Sequence, residues 1–296
     1  MTADPKQKLR LSVVVVFHNM QREAARTLHG LTVPYQKGIS VDDYEVIAVD
    51  SNSSAPLDPD QVTGMQPNFR YIYVHATAPT PVEAMNTGIH AANGDYIARV
   101  IDGARIPSPG ILQNTLRAVD AFHPAYVMTL GMHLGPKRQN LSMLEGYNQA
   151  TEDLLLEESG WTDDGYRLFS HAALAGSSRN GFCDTIAESN FYSAPREIIQ
   201  SEKGLLDQRF ITRGGGLVNL DIHNRLVTHP ELTPVMLLGE ATFHQFHGGV
   251  STNVPKEEQP LDEFKREYES IRGEPYRTRW RQPVYLGQMR DCLLYT

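Results

Sequence analysis

Apolar runs separated by short polar breaks repeat along residues 1–110. Leu11 to Phe17 is apolar except for Ser12 and runs straight into the polar pair His18-Asn19. Tyr44-Glu45-Val46-Ile47-Ala48-Val49-Asp50 repeats the form and again ends in polar residues. Such β-branched runs predict buried parallel strands. Between them Ala24, Ala25, Leu28 and Leu31 fall at helical spacing, which makes the unit β-α-β. Further strands are expected at Tyr71 to His75 and Tyr96 to Ile101, with an amphipathic helix from Val82 to Ala92 that Asn93-Gly94 ends. Later the signal weakens. A helix is expected from Ser142 to Leu156 and a charged helix from Leu261 to Ile271, while Leu217 to Leu226 fits a helix or a strand.

An alternating β/α pattern predicts an open α/β sheet, whose ligands sit beyond the carboxyl ends of its strands. The residues there are His18-Asn19, Asp50-Ser51-Asn52 and Asp102-Gly103-Ala104-Arg105, all polar stretches. No GxGxxG follows the first strand and no GxxxxGK[ST] occurs, so neither dinucleotide nor P-loop binding is supported. Composition narrows the class further. The chain has 296 residues, 41% hydrophobic, enough for a full core. Its net charge of −8 speaks against an electrostatic nucleic-acid partner. The run from Leu11 to Phe17 is far shorter than the roughly 20 residues that span a bilayer, and no cleavage site follows it, so a cytoplasmic protein is expected. Cys183 and Cys292 are too few for a disulfide scaffold or a multi-cysteine metal site.

Together these segments resemble the GT-A glycosyltransferases, most closely the large inverting family 2. The family's opening strand ends in Tyr-Asn, where this chain has Phe17-His18-Asn19; its strand-two aspartate, which recognises the nucleotide base, corresponds to Asp50. The later pattern of asparagine, glycine and A-x-G-[DE]-[YF]-I appears as Asn86-Thr87-Gly88 and Ala92-Asn93-Gly94-Asp95-Tyr96-Ile97. The resemblance implies an α/β GT-A fold, a Rossmann-like mixed sheet with flanking helices. It implies a donor half over 1–110, an acceptor half over 111–250 and a C-terminal helical, aromatic-basic extension over 251–296. His18, Asn19, Asp50, Asn86, Asp102 and Arg105 are then donor-binding candidates. On residue chemistry alone, Asp50 reads equally as a turn aspartate.

Two departures bear on the chemistry. The family's Asp-x-Asp holds Mn²⁺ or Mg²⁺ on the diphosphate, and here Asp102-Gly103-Ala104-Arg105 lacks the second carboxylate. Some GT-A enzymes complete the metal shell with a late histidine, which makes His244 and His247 of Phe243-His244-Gln245-Phe246-His247-Gly248-Gly249 candidates beside Asp102. Core packing of one imidazole and backbone bonding of the other is the competing reading. The family's Gly-x-Glu-Asp-x-Asp-Leu-x-x-Arg is resembled by the stretch Gly214 to Arg225, aligned on Asp221 and Arg225, with Asn219 where the catalytic base belongs. Asparagine cannot take a proton, so Glu188 and Asp221 are ranked first as base, ahead of Asp207. Asp221 also fits a carboxylate paired with Arg225. Phe17-His18-Asn19 and Asn219-Leu220-Asp221 further resemble the retaining mucin-type N-acetylgalactosaminyltransferases, which leaves the stereochemistry open.

Trp161, Asp163, Asp164, Tyr166 and Arg167 suit either a sugar platform or a structural loop. Arg272, Arg277, Arg279 and Arg281, interleaved with Tyr276 and Trp280, suit an anionic acceptor, peripheral membrane contact or a solvated tail. The expected activity is a glycosyltransferase of the hexosyl type, EC 2.4, moving sugar from a nucleotide diphosphate, UDP foremost, to a hydroxyl of a glycan or small acceptor in polysaccharide synthesis. A homo-oligomer is allowed by the pattern. The alternative is a catalytically reduced nucleotide-sugar or glycan-binding protein.

Overall fold

The β-branched run after Ser12 lies in the middle of the sheet because both of its faces are apolar. In the computed structural model, which describes residues 9–249 and 252–289, Val14 and Val16 pack into one core while Val13, Val15 and Phe17 pack into the other. Alternate residues point to opposite faces, so a strand this apolar needs cover on both sides. The first half follows the predicted alternation: β1 (Leu11–Phe17), α1 (Gln21–His29), β2 (Tyr44–Ser51), α2 (Pro59–Met65), β3 (Phe69–Val74), α3 (Val82–His90) and β4 (Tyr96–Val100). Strands β4, β1, β2 and β3 are parallel neighbours. Helix α3 covers one face with Val82, Met85 and Ile89, and α1 covers the other with Ala24 and Leu28.

The second half is β5 (Arg105–Pro107), α4 (Ile111–Phe122), β6 (Ala125–Leu134), α5 (Gln139–Ser142), α6 (Gln149–Ser159), β7 (Ala172–Leu174), β8 (Phe191–Pro195), α7 (Arg196–Ile199), α8 (Val218–Val227), β9 (Thr233–His244), α9 (Leu261–Arg272) and β10 (Val284–Gly287). The sheet order is β10-β9-β6-β8-β4-β1-β2-β3, with β5 on β9 and β7 on β6. Because β8 runs antiparallel to both β4 and β6, the sheet is mixed, as the GT-A resemblance implies. The expected helix over Ser142 to Leu156 is interrupted. Gly146 adopts φ 95°, and Asn148 caps α6 by accepting from the backbone N–H groups of Ala150 and Thr151. The ambiguous stretch at Leu217 to Leu226 is helix α8.

Several motif residues turn out to shape the fold. Asn86 was expected at the donor, but its amide donates to the Leu206 carbonyl (2.8 Å) and accepts from the Leu206 N–H (3.0 Å). Asn86 thus clamps α3 to the distant 200s loop. A Cβ at Gly94 would stand 2.6 Å from the backbone of Leu11 and Ser12, so only glycine lets that turn pass β1.

The tail is likewise structural. Strand β10 joins β9 in the sheet, and Tyr276, Trp280 and Tyr285 pack on the core. Arg272 donates to both oxygens of Asp221 (2.6 and 2.7 Å) and to Asp207 (2.9 Å), while Arg225 donates to Asp221 at 2.9 Å. Asp221 is thus fully engaged in an ion cluster that ties α8 to α9. Trp161 is buried edge-on against Tyr35 and His29, and Asp164 caps the following turn, which corresponds to the structural-loop reading. Cys183 is an exposed free thiol, and Cys292 lies outside the described residues. No described helix is long and apolar enough to cross a membrane.

A second buried charge holds α6 to the segment after β9. Glu152 is fully buried and accepts from the Phe246 N–H (2.8 Å), the Tyr147 hydroxyl (3.2 Å) and Arg22 (3.3 Å). Burial nonetheless dominates and pushes its carboxyl up to about 7 from an ordinary 4.5. The folded state therefore binds the extra proton, and this group's contribution to stability falls as pH rises from 4.5 through 7. Glu152→Gln should remove that slope. Relative to the parent, the variant should gain up to about 3 kcal/mol between pH 5 and pH 8 in urea unfolding, and parallel pH curves would refute the assignment. Arg272→Ala should cost about 3 kcal/mol by leaving the buried Asp221 with Arg225 as its one remaining cationic partner, whereas Arg277→Ala at an exposed position should stay within about 0.5 kcal/mol. Equal effects of the two in the same assay would count against the cluster.

Candidate active site

Strand register brings the site together. Arg105 on β5 is opposite His244 on β9, and His244 is opposite His133 on β6, so three residues far apart in the chain form one row. Asp102 enters from the turn between β4 and β5, and His247 from the loop after β9. One ligand atom from each of Asp102, His244 and His247 fits within 4.8 Å of the others. The two imidazoles approach through Nε2 at 3.2 Å. Asp102 accepts from the Ala104 N–H (3.0 Å) and from Arg105 Nε (2.7 Å). Ala104, where the family has its second carboxylate, is fully buried, and its carbonyl accepts from the Gln245 N–H. The histidines approach the same point from the opposite strand.

Electrostatics suit an anion beside a cation site. Burial, reinforced by Arg105, holds His244 well below its ordinary titration range, and burial likewise lowers His247. Burial pushes His133 down to about 3, again with help from Arg105. All three are neutral imidazoles at neutral pH, the form that can ligate a metal. Arg105 is only 4% exposed, and its Nη1 is buried without a partner, a donor left for an incoming oxygen. A carboxylate, two neutral imidazoles and an adjacent guanidinium fit a divalent cation carrying an anionic ligand.

The first two strands build the other end of the candidate site. Asp50 is fully buried; its Oδ2 accepts from the Leu57 N–H (2.7 Å), and its Oδ1 is buried without a partner. His18 and Asn19 are exposed and join the β1 and β2 loops. His18 Nδ1 donates to the Ser51 carbonyl (2.6 Å), and Asn19 Oδ1 accepts from the Ser54 N–H (2.8 Å) and hydroxyl (2.9 Å). Asn19 and Asn52 both adopt positive φ, 52° and 49°, a conformation asparagine tolerates better than most residues.

Of the two ranked bases, Glu188 lies beside the row and Asp221 does not. Burial raises the Glu188 carboxyl, while Arg105 and a Ser177 hydrogen bond oppose the shift. Asp221 is held in the arginine cluster described above. Sequence reasoning missed His133 and also Gln139, whose side chain accepts from His244 Nδ1 at 2.7 Å. Neither carries a local motif, and only the pairing of β6 with β9 marks them.

The Glycosyl transferase family 2 model matches residues 12–174, more than half of the chain. Among solved structures, Staphylococcus aureus TarS 1-349 in complex with UDP superposes with TM-score 0.53 at 11% identity, covering 79% of this chain and 60% of that one. TarS 1-349 in complex with UDP-GlcNAc gives 0.53 at 10% identity, over 89% and 73% of the two chains. A longer TarS structure also gives 0.53 at 10% identity, over 80% of this chain and only 37% of that one. These likenesses show a shared fold. In the first superposition the chain spans less than two thirds of its neighbour's length. No curated protein matches in sequence. The family match, over the residues that build the donor-side strands and Asp102, establishes that this chain belongs to glycosyl transferase family 2.

Proposed function

We propose that this chain transfers a hexosyl group, with inversion, from a UDP-sugar to a hydroxyl of a glycan or small acceptor, assisted by Mn²⁺ or Mg²⁺. The observation that carries this reading is the convergence of Asp102, His244 and His247 within 4.8 Å beside the buried Arg105, in a family 2 fold. Solved complexes of TarS with UDP and UDP-GlcNAc support testing uridine donors first. Residues 1–110 then belong to the donor half and 111–250 to the acceptor half, with α9 and β10 of the 251–296 extension bracing the latter.

Each residue has a role that follows from its chemistry. The unpartnered Oδ1 of Asp50 accepts a hydrogen bond from the base, and His18 and Asn19 line the same end. Asp102, His244 and His247 hold the cation, and their mixed oxygen and nitrogen set favours Mn²⁺ over Mg²⁺. When bound, that cation offsets charge developing on the leaving diphosphate. Arg105 donates its free Nη1 to a diphosphate oxygen from a dry setting, where such a bond is strongest. Glu188 takes the acceptor's hydroxyl proton as that oxygen bonds to the anomeric carbon and the bond from that carbon to the diphosphate oxygen breaks, releasing UDP.

Calorimetric titration with UDP should show binding that strengthens with Mn²⁺, and Asp102→Asn should reduce that Mn²⁺-dependent gain by at least ~10-fold. Binding indifferent to Mn²⁺ in the parent protein would remove the cation site. Glu188→Gln should lower kcat by about 10²–10⁴-fold while leaving UDP affinity unchanged. An unchanged kcat would take Glu188 out of the base role.

A further inference from the structure

A chain of hydrogen bonds behind two of the histidines, His244 and His133, fixes where they carry their protons. Asn253 Oδ1 accepts from three successive backbone N–H groups, those of His247 (3.2 Å), Gly248 (2.9 Å) and Gly249 (3.1 Å). Backbone N–H groups only donate, so this end of Asn253 must be the oxygen and its other end the amide nitrogen. That nitrogen donates to Gln139 Oε1 at 3.1 Å. Gln139 Nε2 in turn donates to the His244 carbonyl (2.9 Å), a group that can only accept, and reaches Glu152 Oε2 at 3.4 Å. The Gln139 amide therefore has one orientation, with Oε1 facing His244 Nδ1 at 2.7 Å. Nδ1 must carry the proton, which leaves Nε2 a bare lone pair on the side of Asp102 and His247.

The backbone of the same residue acts on a second histidine in the opposite sense. The Gln139 N–H donates to His133 Nδ1 at 3.0 Å, so that nitrogen carries no proton and Nε2 does. The His133 and His244 rings lie 5.2 Å apart, side by side in the row formed by β6 and β9.

We infer that Gln139 is a positioning residue that sets two neighbouring site histidines to opposite tautomers. Its side chain holds His244 with Nε2 free to ligate, and its backbone holds His133 with Nε2–H free to donate. Asn253 and Glu152 lock the amide that does this, and through Asn253 the same lock fixes the loop bearing His247. The inference rests on the reading of Asp102, His244 and His247 as a cation site only for its functional consequence; the tautomers themselves belong to the metal-free chain.

Long-range ¹H–¹⁵N correlation spectra of the metal-free protein read both tautomers directly. The parent should show His244 protonated at Nδ1 and His133 at Nε2. Gln139→Met, close in volume but unable to accept, should abolish the Nδ1–H pattern of His244 and leave that of His133 intact, because the backbone N–H remains. The same variant should weaken Mn²⁺ binding, measured with the metal alone, by about 10–100-fold. Gln139→Glu keeps an acceptor toward Nδ1 and should retain the His244 pattern. An Nε2–H pattern at His244 in the parent, or an unchanged His244 pattern in Gln139→Met, would overturn the inference. Loss of both patterns in Gln139→Met would mark misfolding, and Gln139→Glu then decides: retention of the His244 pattern supports the assignment, and loss refutes it. A parent protein that shows both tautomers but takes up no Mn²⁺ would refute the cation reading and leave the role of Gln139 standing.

Discussion

Strand β9 carries the site because it pairs with β5 on one side and with β6 on the other. That register sets Arg105, His244 and His133 side by side, and everything chemical in the site is arranged around the row. A shift of one residue in either ladder would turn the whole strand over and send His244 to the opposite face. The length of β9, buried nearly throughout, guards against that slip.

Within the row burial sets the charge state of the imidazoles, and a single buried guanidinium reinforces it. Arg105 compensates Asp102 through a 2.7 Å bond and, with burial, disfavours protonation of the imidazoles around it. The outcome is a dry corner with one cation, one anion and neutral nitrogen donors. Glu188 feels the same guanidinium, which partly counters the burial that raises its carboxyl. Burying charges this way is costly unless each finds partners, and the surrounding amides of Gln139 and Asn253 provide them for the imidazoles and their loop.

The donor half was legible because its signals are local. Strands β1, β2 and β4 are β-branched runs ending in polar residues, and α3 has a clean apolar stripe, so periodicity alone finds them. Asp50 and Asp102 follow as residues just beyond strand ends. In the second half, β6, β8 and β9 left no such mark: their apolar runs are broken by His133, Ser193, Gly239 and Glu240, and their partners lie far off in sequence. Residue type alone did not fix role. Asn86 holds the backbone of Leu206, and the basic, aromatic tail, for which a solvated segment was one reading, is a brace built on Arg272 and β10.

Local patterning along the chain was enough for the parallel α/β core and the family, because these depend on neighbours within a few residues and on short motifs. It also left a deficit in view: Ala104 and Asn219 stand where the family has carboxylates. Which side chains surround those two positions was decided only by tertiary structure. Strand pairing brings His244 and His247 to Asp102, places Glu188 near Arg105, commits Asp221 to an ion cluster and recruits His133 and Gln139, which no spacing foretells. Convergence of side chains from β5, β6, α5 and β9 is a property of register and sheet order, and a linear pattern does not encode which distant strands will lie side by side.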